Sequence, residues 1–161
     1  MTISPPDPTA FRHVMGHFGS GVTVITTGSP ESPVGFTASS VASLSLDPLL
    51  VMVGVATDGD SLAGIRESGA FGVNILSRDQ EALAMHFARS DREARFRDVE
   101  VRTRSTGVPL LGASLAWLDC ALHAEFPAGD HVVVVGRVES CDAGAGEPLL
   151  YFRGRFGGWL S

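Results

Sequence analysis

The chain contains no lysine; all 12 of its basic residues are arginine. That removes Schiff-base chemistry, a Walker-type phosphate lysine and a serine–lysine dyad from consideration. Cysteine is nearly as scarce: Cys120 and Cys141 are the 2 in 161 residues and form no C-x-x-C. A pair so sparse fits packing thiols in a reducing cytosol. Apolar runs are short as well, and the uncharged stretch 13–30 is broken by glycine, histidine and proline, so no transmembrane helix is expected. The opening Met1-Thr2-Ile3-Ser4-Pro5-Pro6-Asp7 has neither the basic nor the apolar segment of a secretion signal, which makes the cytoplasm the expected location. Only 19% of residues are charged, with 18 acids against 12 bases and a net charge of −6. A chain of this sign without a basic stripe predicts no nucleic acid and no anionic membrane as partner.

What is present is a globular composition. Hydrophobic residues reach 44% and glycine 19 of 161, which suits strands and tight turns better than a helical bundle. The length fits one domain over 1–161, with a proline-rich leader at 1–8 and a core over 9–156. Thr9 is a candidate N-cap for an amphipathic helix carrying Phe11, Val14, Met15 and Phe18, stopped at Gly19-Ser20-Gly21. Strands are predicted at 22–27, 34–40, 49–55, 71–76, 113–126, 131–138 and 149–152. A short helix capped by Asp60 or Ser61 ends at Gly69. Ser77 to Gln80 has capping-box spacing and opens a second helix through about Arg89, with Leu83 and Phe87 on one face. The charged stretch 89–104 reads as a solvated helix end and loop. Strands dominate and do not alternate with helices, so the expected class is mostly β: an antiparallel barrel with a few peripheral helices.

The segment Gly35 to Pro48 is the richest in chemistry. Thr37, Ser39, Ser43 and Ser45 share odd positions and would present hydroxyls on one face of an extended chain, while Ala38, Ala42, Leu44 and Leu46 would face the core. Such hydroxyls can hold a phosphate or the polar edge of a heterocycle without a cation, although an ordinary solvated sheet face has the same pattern. His131, after the Gly129-Asp130 turn, stands at a strand mouth where it either meets a ligand or closes the turn. His13 and His17 are four residues apart, but with no H-E-x-x-H and no third ligand nearby, no metal site is expected. No G-x-G-x-x-G or G-x-S-x-G occurs, and Asp119 and Asp130 form no triad with the histidines.

Taken in order, the motifs resemble the flavin reductase-like family, the small reductase components of two-component flavin-dependent monooxygenases. The resemblance is carried by Phe11-Arg12 through Phe18-Gly19-Ser20-Gly21-Val22-Thr23-Val24-Ile25-Thr26. It continues through Gly35-Phe36-Thr37-Ala38-Ser39-Ser40 with Ser43-Leu44-Ser45-Leu46-Asp47-Pro48, Phe71 to Leu76, and His86-Phe87-Ala88. Arg95-Phe96, Gly107-Val108-Pro109, Leu118-Asp119-Cys120, Gly129-Asp130-His131 and Pro148 to Gly154 complete it, over about residues 10 to 156.

The resemblance implies a split β-barrel of Greek-key type and a homodimer with flavin near the subunit interface. It implies FMN or FAD as flavin and NADH or NADPH as electron donor. Thr37, Ala38, Ser39, Ser40, Ser43 and Ser45 are the implied flavin-binding stretch. Ser61, Phe87, Ala88 and Arg95 are implied cofactor-binding positions, the last three near the flavin phosphate. His131 is placed by flavin and nicotinamide, as a positioning group and not an essential acid or base. With His131, Arg153 and Phe156 are implied dinucleotide contacts, Phe156 standing where the family more often has tyrosine. Hydride transfer needs two rings stacked about 3–3.5 Å apart and neither nucleophile nor metal, so the missing lysine and triad are no obstacle. A flavin ring wants apolar walls on both sides, and Phe11, Phe18 and Trp159 are candidate contributors from a second subunit. The expected function is an NAD(P)H:flavin oxidoreductase supplying free reduced flavin to a separate monooxygenase. The alternatives are a non-catalytic flavin-binding or storage protein, or a split-barrel oxidoreductase that retains FMN and serves another acceptor.

Overall fold

The computed structural model describes residues 5, 7–89 and 91–158. Helix α1 (Pro8–Met15) is followed by strands β1 (Ser20–Gly21), β2 (Thr23–Ser29), β3 (Ser32–Ala38), β4 (Val41–Leu46) and β5 (Leu49–Ala56). Helix α2 (Asp60–Ser68) leads to β6 (Ala70–Ile75), then α3 (Glu81–Arg89) and α4 (Arg92–Arg95). Two short strands, β7 (Val101–Arg102) and β8 (Leu110–Leu111), precede the long pair β9 (Ala116–Ala128) and β10 (His131–Ala143). The hairpin of β11 (Leu150–Phe152) and β12 (Arg155–Gly157) comes last.

Seven strands form one antiparallel sheet in the order β3-β2-β6-β9-β10-β5-β4. Its two edges, β3 and β4, are consecutive in the chain and joined only by Ser39 and Ser40. Two residues span roughly 7 Å, so the sheet must curl until those edges meet at that end. The result is a β-barrel split between β3 and β4, the mostly β antiparallel class expected from the sequence.

Strand β5 shows the alternation that fills the barrel: Val51, Val53 and Val55 are buried, whereas Met52, Gly54 and Ala56 turn outward. Phe71, Val73, Cys120, Val132 and Val134 join them inside, and Leu62 and Ile65 of α2 pack against the same cluster. Strand β2 is buried on both faces. Ile25 points into the barrel, while Val24 enters a second cluster with Val22, Leu76, Ala84, Phe87, Leu111 and Leu149 beneath α3. Asn74 ties the layers together, donating to Val24 O and Thr26 Oγ1 and accepting from the Leu111 N–H at 2.8 Å.

Several local expectations are corrected. The N-cap of α1 is Asp7, not Thr9: its Oδ1 accepts from the Ala10 N–H at 2.8 Å, and Pro8 occupies the first helical position, where no N–H is needed. The helix ends at Met15, one turn short of Phe18. Leu44 and Leu46 are 49% and 84% exposed and do not face the core. The chain turns at Ser39-Ser40 and the β4–β5 register slips between Ser43 and Ser45, so the odd–even phase does not run through the segment. The charged stretch after α3 also contains α4 and β7, and Phe96 and Val99 between them and Val101 in β7 pack on the second cluster.

Candidate functional site

The site begins at the corner between β3 and β4, where each hydroxyl has its own task. Thr37 Oγ1 donates to Ala84 O at 2.6 Å, tying β3 to α3. Ser40 takes the place of a strand partner for Gly54: its Oγ accepts from the Gly54 N–H and donates to Gly54 O, both at 3.2 Å. The backbone at Ser40 is thereby freed to leave the ladder, which creates the split. Ser45 Oγ accepts from the Asp47 N–H at 3.2 Å and shapes the turn after β4. Ser43 is exposed on the same edge strand.

Ser39, exposed at the corner, lines two neighbouring clefts. One, of about 600 Å³, runs between α3 and the β11–β12 hairpin and is bordered by Thr37, Ala38, Ala88 and Phe156. The other, of about 860 Å³, lies between α1 and β4, with Ser40, Ala42, Met52 and Arg153 in its walls. Tyr151 and Gly154 belong to both. The hairpin tip is bolted to α1 by the Arg153 N–H donating to Gly16 O at 2.9 Å. Arg153 holds a left-handed backbone with φ of 50°, and its guanidinium lies over the Phe152 ring at 5.9 Å. The α1-side cleft combines neutral hydroxyls at one edge with apolar walls, the donor set that suits a planar heterocycle.

His131 begins β10 opposite Ala56. Its Nδ1 lies 2.7 Å from Asp130 Oδ1. A carboxylate only accepts, so Nδ1 carries the proton and Nε2 is left for another partner. This bond, reinforced by the imidazole's charge, also lowers the Asp130 carboxyl below its ordinary pKa. The ring leans over Gly54: a Cβ there would stand 3.8 Å from His131 Cδ2 and 3.3 Å from Ser40 Oγ. The glycine thus brings the histidine and the hydroxyl corner onto one outer face.

Other implied site residues lie elsewhere. Ser61 and Arg95 come together in a separate cleft of about 370 Å³ beside Asp58 to Asp60, and Arg95 Nη1 donates to Gly35 O at 2.7 Å. Phe87 is 0% exposed, edge-to-face with Phe96 at 5.0 Å, and offers a ligand no side-chain surface. Its role is to seat α3, because helical spacing that turns Ala88 to the cleft turns Phe87 to the core. Asp119 is buried, accepting from the Thr106 N–H at 2.9 Å and from the Thr106 hydroxyl, so it pins a loop. Burial, aided by the neighbouring Asp119 charge, pushes the Cys120 thiol up to about 12, which leaves it unreactive as a nucleophile. Among the described residues no cluster of three metal-ligating side chains occurs, and the rings of His13 and His17 stack edge-on at 5.0 Å. Trp159 lies outside the described residues.

Sequence reasoning missed Glu81, Met85, Arg89, Tyr151 and Arg155, all in the walls of the α3 cleft. The first three are legible as the helix face turned away from Phe87. That this face borders a cleft is not.

The model of the flavin reductase like domain matches residues 15–160. The chain is 43% identical over 153 residues to an NADH-dependent flavin reductase of a Rhodococcus sp, covering 92% of this chain and 85% of that protein. It is 41% identical over 155 residues to the reductase component of a 4-nitrophenol 4-monooxygenase/4-nitrocatechol 2-monooxygenase of Rhodococcus opacus, covering 96% and 83%. Among solved structures it resembles the NADH:FAD oxidoreductase SgcE6 of Streptomyces globisporus C-1027, with a TM-score of 0.92, 34% identity, and coverage of 100% of this chain and 98% of that one. No helix among the described residues is long and apolar enough to cross a membrane.

Proposed function

Since the chain belongs to the flavin reductase-like family, we propose that it passes hydride from NADH to a flavin and releases the reduced flavin to a separate monooxygenase. The observation that carries the reading is the pair of clefts sharing Ser39, Tyr151 and Gly154. The shared residues join the two clefts into one trough that accommodates a flavin's ring and its phosphate tail, and hydride transfer then requires only that a nicotinamide stack on the open ring face. The isoalloxazine lies in the α1-side cleft, with Ser39 and Ser40 at its polar edge. The phosphate end of the flavin runs into the α3 cleft past Thr37, Ala38 and Ala88, and the dinucleotide enters over the hairpin by Arg153 and Phe156, with His131 on the nicotinamide side. A bound flavin supplies the hydride acceptor; the residues of the chain bind, orient and exclude water. Ser43, Ser45 and Phe87 support the framework, and Ser61 and Arg95 line a separate cleft that shares no residue with these two.

Mixing the protein with NADH and FMN tests the reading. Loss of NADH absorbance that saturates with added flavin supports a reductase. Flavin binding without turnover makes it a storage protein and overturns the proposal.

Ser39→Ala is expected to weaken flavin binding by about 0.5–1.5 kcal/mol, the worth of one neutral hydrogen bond. Ser45→Ala, which touches only the turn at Asp47, leaves flavin affinity near the wild-type value. An unchanged flavin Kd in folded Ser39→Ala returns the corner to an ordinary solvated turn.

The protein acts in the cytoplasm as one flavin reductase-like domain over 9–156, and as a homodimer. Helix α1 buries none of its residues, and Phe11, Val14, Met15 and Phe18 are 60%, 66%, 48% and 74% exposed. Phe11, Met15 and Phe18 border the open α1-side cleft and, with Val14 beside them, mark a face for a second copy, which supplies the missing wall. Sedimentation should give twice the monomer mass, and a fully active 16.9 kDa monomer refutes the dimer.

A further inference from the structure

We propose, on the reading that runs the flavin's phosphate end into the α3 cleft, that Arg89 and Arg155 clamp this phosphate from opposite walls and that Arg95 takes no part.

A terminal phosphate carries a charge of about −1.5 to −2 at pH 7, and the hydroxyl corner has little to set against it. The chain holds no lysine. The Thr37 hydroxyl is donated to Ala84 O at 2.6 Å, and Ser39 offers a neutral donor only. Arg95, implied near the phosphate by the resemblance, gives Nη1 to Gly35 O at 2.7 Å and lines the cleft beside Asp58 and Asp60. The cations in the walls of the α3 cleft are Arg89 and Arg155. Among the described residues neither takes part in an ion pair.

Both arginines are held by the backbone that carries them. Arg89 is the last residue of α3 and follows Ala88 in the cleft wall. Phe87, two residues earlier and so roughly 160° around the helix, is fully buried, which keeps Arg89 on the cleft side. Arg155 comes directly after the two-residue turn Arg153-Gly154, whose φ angles of 50° and 78° are those of a tight hairpin. Beside it, Phe156 packs on the second cluster and anchors the strand. Two guanidinium forks from separate elements match the oxygens of one phosphate in direction as well as charge. Both side chains are exposed, so the clamp stands at the solvent edge, where a flavin that leaves after reduction can be released. Glu81 is the acid in the same wall. It stands eight residues before Arg89, roughly 12 Å along the helix axis and beyond the screening length of about 8 Å at physiological salt.

Riboflavin has the ring and ribityl chain of FMN without the phosphate, so the ratio of their dissociation constants isolates the phosphate's share of binding. The test titrates both flavins into wild type, Arg89→Gln, Arg155→Gln and Arg95→Gln. Wild type should bind FMN roughly tenfold or more tightly than riboflavin. Arg89→Gln and Arg155→Gln should each weaken FMN roughly tenfold, with riboflavin affinity staying within about twofold. Arg95→Gln removes the bond to Gly35 O and should leave the riboflavin:FMN ratio unchanged. An unchanged ratio in Arg89→Gln or in Arg155→Gln overturns the clamp, as does equal weakening of both flavins in those variants. A ratio that narrows in Arg95→Gln also overturns it, because the phosphate then lies in the other cleft. Wild type that binds neither flavin is a different failure, of the flavin reductase reading itself, and this proposal falls with it.

Discussion

His131→Ala is expected to lower kcat/KM for NADH roughly ten- to a hundredfold, about 1.4–2.7 kcal/mol of transition-state stabilisation. The argument is geometric. Asp130 fixes the protonated Nδ1 at 2.7 Å, which leaves Nε2 directed away from the turn. Gly54 removes the side chain that would otherwise fill the space beside the ring and Ser40. The imidazole is thus a held group at the barrel mouth, suited to orienting a nicotinamide rather than exchanging a proton with it. Because the ring is one wall and not the floor, flavin affinity should change less than kcat/KM. Steady-state kinetics with varied NADH, alongside a flavin titration, distinguish the roles. A variant that loses flavin affinity but keeps its hydride-transfer rate at saturating flavin makes His131 a flavin ligand only.

The second large effect is on stability. Phe87→Ala should cost about 3–5 kcal/mol, the range for removing a fully buried aromatic ring from a packed core. Phe87 is 0% exposed, crosses Phe96 edge-to-face at 87°, and packs so closely on β3 that a Cβ at Gly35 would fall 2.9 Å from its Cε1. The loss extends beyond the cavity. Without the ring α3 loses its seat, the Thr37–Ala84 bond slackens, and the cleft wall carrying Glu81 and Arg89 moves with the helix. Chemical denaturation should show a lower midpoint at similar slope, and flavin affinity should fall in the folded fraction. A loss below about 1 kcal/mol indicates that the second cluster collapses to fill the space.

The barrel was legible because its signals are local. Alternation in Leu49 to Ala56, the left-handed glycine at Gly69 that stops α2, and the Ser77–Gln80 box before α3 each follow from side-chain periodicity or one backbone requirement. The corner at Ser39-Ser40 was less legible. The hydroxyl run suggested one continuous face, but the chain turns there and Ser40 is spent on Gly54, a residue 14 positions away. Similarly, Ser61 and Arg95 matched the family pattern, yet their cleft is distinct from the one Ser39 borders. Bringing Ser61 in the first turn of α2, whose cap is Gly59, together with Arg95, the last residue of α4, depends on how the two helices pack on the barrel, and no spacing encodes that.

By itself the sequence determined a strand-rich, glycine-rich antiparallel barrel with a hydroxyl-lined edge and excluded lysine chemistry. The class of reaction came from the resemblance of its motifs, taken in order, to the flavin reductase-like family. Tertiary structure decided which residues share a space. Glu81 and Arg155 line one cleft because Phe87, turned roughly 120° around α3 from Glu81, must be buried, and His131 and Ser40 share one outer face because Gly54 between them has no side chain. Burial periodicity is a property of a segment and can be read along it. The meeting of segments is set by register and packing between strands far apart in the chain, and only the folded barrel brings them together.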